Sequence, residues 1–185
     1  MRAQLRDITE HDYWLYGLTE ADFDYTLGLV RGFLSDQQDV LEKKEERAKL
    51  RYPDPAIHVE IISDLHHYSW VSCQVLWQFC LWRLQGILEG LIVHSFLLSD
   101  RSKRMSGLQA KLDALRVAGY SISENEYDEL LAWASLRNAL SHAPPERYCP
   151  GPLAESDIVE YKETLQRLCK RWREEERIVK NKANG

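Results

Sequence analysis

From about His58 to Leu97 the chain reads as one long helical segment. Its apolar positions, among them Leu65, Val71, Leu76, Phe79, Leu84, Leu88 and Phe96, cover more than one face of a helix. At a rise of about 1.5 Å per residue such a helix approaches ~60 Å, so a bend or break is expected, most readily at Gly86 or Gly90. The four-residue spacing of those glycines would also admit a second backbone at close range. A helix apolar over so wide an arc needs neighbours on two sides. Its own bundle supplies one side, and the other is a candidate surface for a second subunit.

Between Leu65 and Trp82 there is no Asp, Glu, Lys or Arg, which raises the question of a membrane span. His66, His67, Ser69, Ser72, Gln74 and Gln78 interrupt the stretch and Arg83 ends it. That polar content favours a buried amphipathic helix, not a span.

Four further helical segments are legible, and no strand pattern. The first opens near Thr19, an N-cap candidate with Asp22 three positions on. It carries Phe23, Tyr25, Leu27, Leu29, Val30 and Phe33, turns polar over residues 42–47, and is expected to stop at Pro53 and Pro55. A short segment holds Leu108, Leu112, Leu115 and Val117 and ends near Gly119. The next starts behind Ser123 and Glu126, which have capping-box spacing, and carries Tyr127, Leu130, Trp133, Leu136 and Leu140. The last, from about Glu155, sets Ile158, Tyr161, Leu165, Leu168 and Trp172 on one stripe at steps of three and four. Beyond about residue 174 the charged end is expected to fray. The expectation is an all-α, up-down bundle of about five helices, a single domain over residues 1–185.

A chain of 185 residues with 44% apolar and 29% charged residues is ordinary for a globular domain. The net charge of -5 argues against a general nucleic-acid coat protein, although a local basic groove is still compatible with it. No signal peptide is read at the N-terminus, and the expected compartment is the cytoplasm. Cys73 and Cys80 lie two turns apart, beyond disulfide reach, and no CxxC pair suggests zinc; with Cys149 and Cys169 they read as free thiols.

The chemistry is concentrated in Arg137-Asn138-Ala139-Leu140-Ser141-His142, at the end of a helix and just before Pro144-Pro145. An arginine holds a phosphate in two-point contact, and a histidine moves protons near neutral pH. Five residues of ideal helix separate Arg137 and His142 by about 140° around the axis, so the pair would not share a face. Asn138 and His142 would share one. The proline pair is expected to loosen the last turn and let the imidazole swing toward the arginine, with Asn138 holding the ring. The bland alternative pairs Arg137 with Asp128 or Glu129 on preceding turns and leaves His142 as a cation at the helix C-terminus.

The run Leu136-Arg137-Asn138-Ala139-Leu140-Ser141-His142-Ala143 resembles the Arg-x4-His signature of HEPN domains, and the order of long and short helices is similar to theirs. The resemblance implies a metal-independent endoribonuclease that needs no cofactor and yields a 2′,3′-cyclic phosphate and a 5′-hydroxyl. It implies a homodimer with the motifs facing across a shared cleft. Arg137 would hold the scissile phosphate, His142 would act as acid or base, and Asn138 would support them. An added acidic residue from another helix is common in the family, and Glu89 is a candidate. A toxin or defence role would bring an antitoxin, or a nucleotidyltransferase partner. Two other classes stay open: a non-catalytic helical interaction module, and a small-ligand-binding bundle suggested by the aromatic core.

Arg101, Lys103 and Arg104 form a basic cluster that either contacts RNA backbone or is a solvated turn. Trp172, among Lys170, Arg171 and Arg173, either stacks on a base or fills the core, and its place on the apolar stripe favours the core. His58, His66, His67 and His94 lack HxxxH spacing, so no metal site is read. No glycine-rich phosphate loop, Ser-His-Asp arrangement or paired catalytic carboxylates are found.

Overall fold

The structure is a computed structural model that describes residues 19–97, 105–142 and 151–183, with side chains through residue 176. It is an all-α bundle: five α-helices, with no strand among the described residues. Helices α1 (Ala21–Arg51) and α2 (Pro55–Leu91) form a long antiparallel hairpin. Three shorter or later elements, α3 (Leu108–Ala118), α4 (Glu124–His142) and α5 (Glu155–Ala183), complete the bundle around one end of it.

Pro55 starts a helix where it was expected only to stop one. The Asp54 carboxylate accepts the Ala56 N–H at 3.0 Å, and Pro55 takes the first helical position, where its missing N–H costs nothing. The helix runs unbroken through Gly86 and Gly90. A Cβ on Gly86 would meet nothing within 4 Å, so among the described residues no second backbone approaches there. The irregularity comes later, as a π-helical segment, Ile92–Leu97. In that segment Phe96 packs edge-on against Tyr120 and Trp172, with ring centroids 5.7 and 5.5 Å apart, and its carbonyl accepts the Tyr120 hydroxyl at 3.2 Å.

Helix α3 ends at Gly119, whose φ of 98° is open to glycine at little cost. Its N–H reaches Arg116 O at 3.0 Å and the next N–H, of Tyr120, reaches Leu115 O at 3.1 Å, the paired bonds of a Schellman ending. At α4 the capping box forms as the spacing predicts: Ser123 N–H donates to Glu126 Oε2 at 3.0 Å and Glu126 N–H to Ser123 Oγ at 3.3 Å. Thr19 behaves differently. Its hydroxyl donates to Asp22 instead of capping, and α1 opens at Ala21.

The α5 stripe is the spine of the core: Ile158, Tyr161, Leu165, Leu168 and Trp172 are all fully buried. They meet Phe23, Leu27 and Val30 of α1, residues of α2 from Trp77 to Leu91, and Leu112, Leu115 and Leu130. Burying each large apolar side chain contributes roughly 1.5–3 kcal/mol. Val117 is not among them; it is 88% exposed. The backbone of α5 continues through Ala183, past the point where fraying was expected. Among the described residues no helix is long and apolar enough to cross a membrane.

Candidate functional site

Helix α4 presents Arg137, Asn138 and His142, and α2 supplies what Arg137 faces. The guanidinium of Arg137, a side chain 30% exposed, places Nη2 3.8 Å from Glu89 Oε1 and donates from Nη1 to Asn138 Oδ1 at 2.8 Å. Its acidic partner is therefore on another helix, and neither Asp128 nor Glu129 of its own helix takes that place. Glu129 instead accepts the Thr164 hydroxyl at 3.2 Å.

Glu89 is the centre of a partly buried polar cluster. Its Oε1 accepts Gln85 Nε2 at 2.8 Å, and its Oε2 accepts the ammonium of Lys111 from α3. One carboxylate thus stands between a lysine and an arginine from different helices, with only 16% of its side chain exposed. Arg137 Nε, Gln85 Oε1 and the Tyr161 hydroxyl are buried with no hydrogen-bond partner among the described residues. Burial drives the Tyr161 phenol far above its ordinary range; the charges of Glu89 and Glu129 add to this and Arg137 opposes it. Trp133 stacks on that ring with centroids 4.8 Å apart, which fixes it beneath α4.

His142 is exposed and is the last residue of α4. The helix keeps its geometry through His142, so the loosening expected from the proline pair does not reach the imidazole; Pro144 and Pro145 themselves lie outside the described residues. Arg137 and His142 stay on different sides of α4, about 140° apart. Asn138 is exposed, and its carboxamide oxygen turns to Arg137 instead of steadying the ring. Asn138 also lines a hollow of about 470 Å³ with Ser106, Gly107, Asp113 and Ser135, between the start of α3 and α4.

Arg101, Lys103 and Arg104 lie outside the described residues, as does Cys149. Trp172 is in the core, with no exposed face for a base. His66 Nε2 lies 3.0 Å from Glu45 Oε1 on the hairpin. Among the described residues no three His, Cys, Asp or Glu side chains gather as metal ligands. Cys73, Cys80 and Cys169 are free thiols; burial pushes Cys80 up to about 11 and Cys169 up to about 12. Neither buried thiol is a nucleophile at neutral pH.

Sequence reasoning missed Lys111, Gln85 and Tyr161. One signal was available: Gln85 and Glu89 lie four apart on the most apolar stretch of α2, where two polar groups need a polar counterpart. Comparison with protein-family models, curated proteins and solved structures finds no match to this chain.

Proposed function

We propose that the chain is a metal-independent endoribonuclease of the HEPN type, with an active site shared between two copies. The observation that carries this reading is the setting of Arg137. Glu89 and Asn138 hold its guanidinium at the end of α4 while 30% of the side chain is still open to solvent, and an exposed imidazole stands about 7.5 Å further along the axis. A fixed planar cation suits a phosphodiester, and an exposed histidine suits proton transfer to or from a ribose 2′-hydroxyl. Because the two groups diverge around one helix, the phosphate held by Arg137 is served by the partner's His142. Asn138 steadies the guanidinium, and Glu89 positions it. The products are a 2′,3′-cyclic phosphate and a 5′-hydroxyl. Such an activity needs restraint in a cell, which an antitoxin or a nucleotidyltransferase partner would supply.

The test is cleavage of RNA in EDTA by the purified chain and by Arg137→Ala and His142→Ala. Chelator-resistant cleavage lost in both variants is expected. Mixing the two dead variants should restore part of the activity, because a hybrid dimer keeps one intact arginine–histidine pair. Equal cleavage by all three proteins, or none with any RNA, removes the proposal. A second reading, a non-catalytic interaction module, is favoured by the same ion pair: an arginine held by Glu89 is also a plain structural tie between α2 and α4. It predicts no cleavage, and loss of stability in Arg137→Ala.

A further inference from the structure

Arg137 is short of partners for a guanidinium set between two helices. Of its five N–H donors, one has a hydrogen-bond partner among the described residues, the Nη1 bond to Asn138 Oδ1. Nε is buried with none. Nη2 stops 3.8 Å from Glu89 Oε1, beyond hydrogen-bond reach. An arginine that faces a carboxylate in a poorly solvated site ordinarily closes on it with two parallel bonds. What prevents the closure lies on α2 and α3. Gln85 Nε2 donates to Glu89 Oε1 at 2.8 Å, and the Lys111 ammonium donates to Oε2. Gln85 is 2% exposed and the Lys111 side chain 12%, so water does not readily replace either donor.

We infer that Lys111 is a positioning residue: it holds the Glu89 carboxylate back from Arg137 and so keeps the guanidinium open for a phosphodiester oxygen. The inference rests on the reading of Arg137 as the phosphate holder. Formal charge supports it. Lys111, Glu89 and Arg137 together carry +1, and Arg137 is the most exposed of the three, so the surplus faces solvent where a phosphate can meet it. Without Lys111 the remaining pair is neutral, Oε2 loses its donor, and the carboxylate can turn onto the guanidinium as a closed fork. Lys111 acts only through Glu89. Its ammonium is bound there and its side chain is largely covered, so it offers no phosphate contact of its own. Asn138, by contrast, bonds the guanidinium directly.

Fluorescence anisotropy of the full chain with labelled 2′-fluoro RNA tests this. That probe keeps the phosphodiester and lacks the hydroxyl that would attack it. Lys111→Met should weaken binding about tenfold, because Arg137 gives up a charge-assisted contact to Glu89. Adding Glu89→Gln removes the competing carboxylate and should return affinity to within about threefold of wild type. A lysine that only ties α2 to α3 predicts no loss in the single variant, or a deeper loss in the double. In an Arg137→Ala background Lys111→Met should change affinity by less than about twofold. A full loss there would mean that the ammonium acts at long range and not through Arg137. Gln85→Met frees the other carboxylate oxygen with Lys111 in place and should weaken binding about threefold. It decides the matter if circular dichroism shows Lys111→Met unfolded. Unchanged affinity in these two variants, or no rescue by Glu89→Gln, overturns the inference, as does a wild type that binds no RNA. The two proposals fail separately. Binding that follows this pattern without cleavage of ordinary RNA removes the ribonuclease reading alone. Chelator-resistant cleavage with an affinity indifferent to Lys111 removes this one alone.

Discussion

Glu89 holds one carboxylate against two cations from different helices, and its replacement reads out that balance. Glu89→Gln keeps the shape but leaves Lys111 and Arg137 facing each other in a half-buried site. A loss of about 2 kcal/mol in denaturant unfolding is expected; an unchanged midpoint would show the cluster to be solvated. Tyr161→Phe should behave oppositely. Its hydroxyl is buried without a partner among the described residues, so removing it should leave stability unchanged or raise it slightly, and a loss above about 1 kcal/mol would reveal a bond outside them. A second carboxylate gives a pH signature. Arg171, hydrogen-bonded to Glu126 at 2.7 Å, and the Ser123 cap hold the Glu126 carboxyl down at about 2 against an ordinary 4.5, despite partial burial that works the other way. A depressed value stabilises the fold fully above pH about 4.5 and loses that contribution as pH falls toward 2. After solvent screening the contribution is about 1–2 kcal/mol. Glu126→Gln should lower stability at neutral pH and flatten the acid limb of the unfolding profile; an unaltered limb would assign the acid sensitivity elsewhere.

Helix endings obey local rules, and two glycines should respond with opposite sign. Gly119 closes α3 at a φ of 98°, so Gly119→Ala should cost about 1 kcal/mol through left-handed strain. Gly86 sits mid-helix with open space around its missing Cβ, so Gly86→Ala should stabilise by about 0.5–1 kcal/mol. Thermal melts of the two variants should move in opposite directions, and a shift of the same sign would contradict the backbone conformation of one of them. Such features were legible in the sequence because they are local. The Ser123–Glu126 box, the Gly119 ending and the α5 stripe each depend on residues within a turn or two. Pro55 departs from expectation for an equally local reason: a proline after an aspartate starts a helix as readily as it ends one. The π segment at Ile92–Leu97 had no such signal, since it follows the packing of Phe96 between Tyr120 and Trp172, which come from later in the chain.

At the scale of the molecule the same division holds. Arg137 and His142 stood out as residue types in a pattern, whereas Glu89, named from the sequence only as a candidate acid on another helix, lies 48 positions back, and only the bundle brings it to Arg137. The wide apolar arc of α2 was also legible, and it divides as expected into a buried half and an open one: Trp77, Leu81, Leu84 and Leu88 face the core, while Val71, Val75 and Phe79 face out. That division sets how the chain should open. Near the base, residues 77–91 and 158–172 share one core, whereas residues 36–50 and 58–72 form a hairpin with Leu41 and Ala48 as its buried apolar residues. Local opening free energy follows buried apolar contact, so amides of the distal hairpin should exchange well before those of the base. Hydrogen exchange read by mass spectrometry checks this: fast exchange over residues 36–50 and 58–72 with a protected base is expected. Uniform protection along both helices would instead mean that the hairpin draws its stability from helix propensity and not from the burial of apolar side chains.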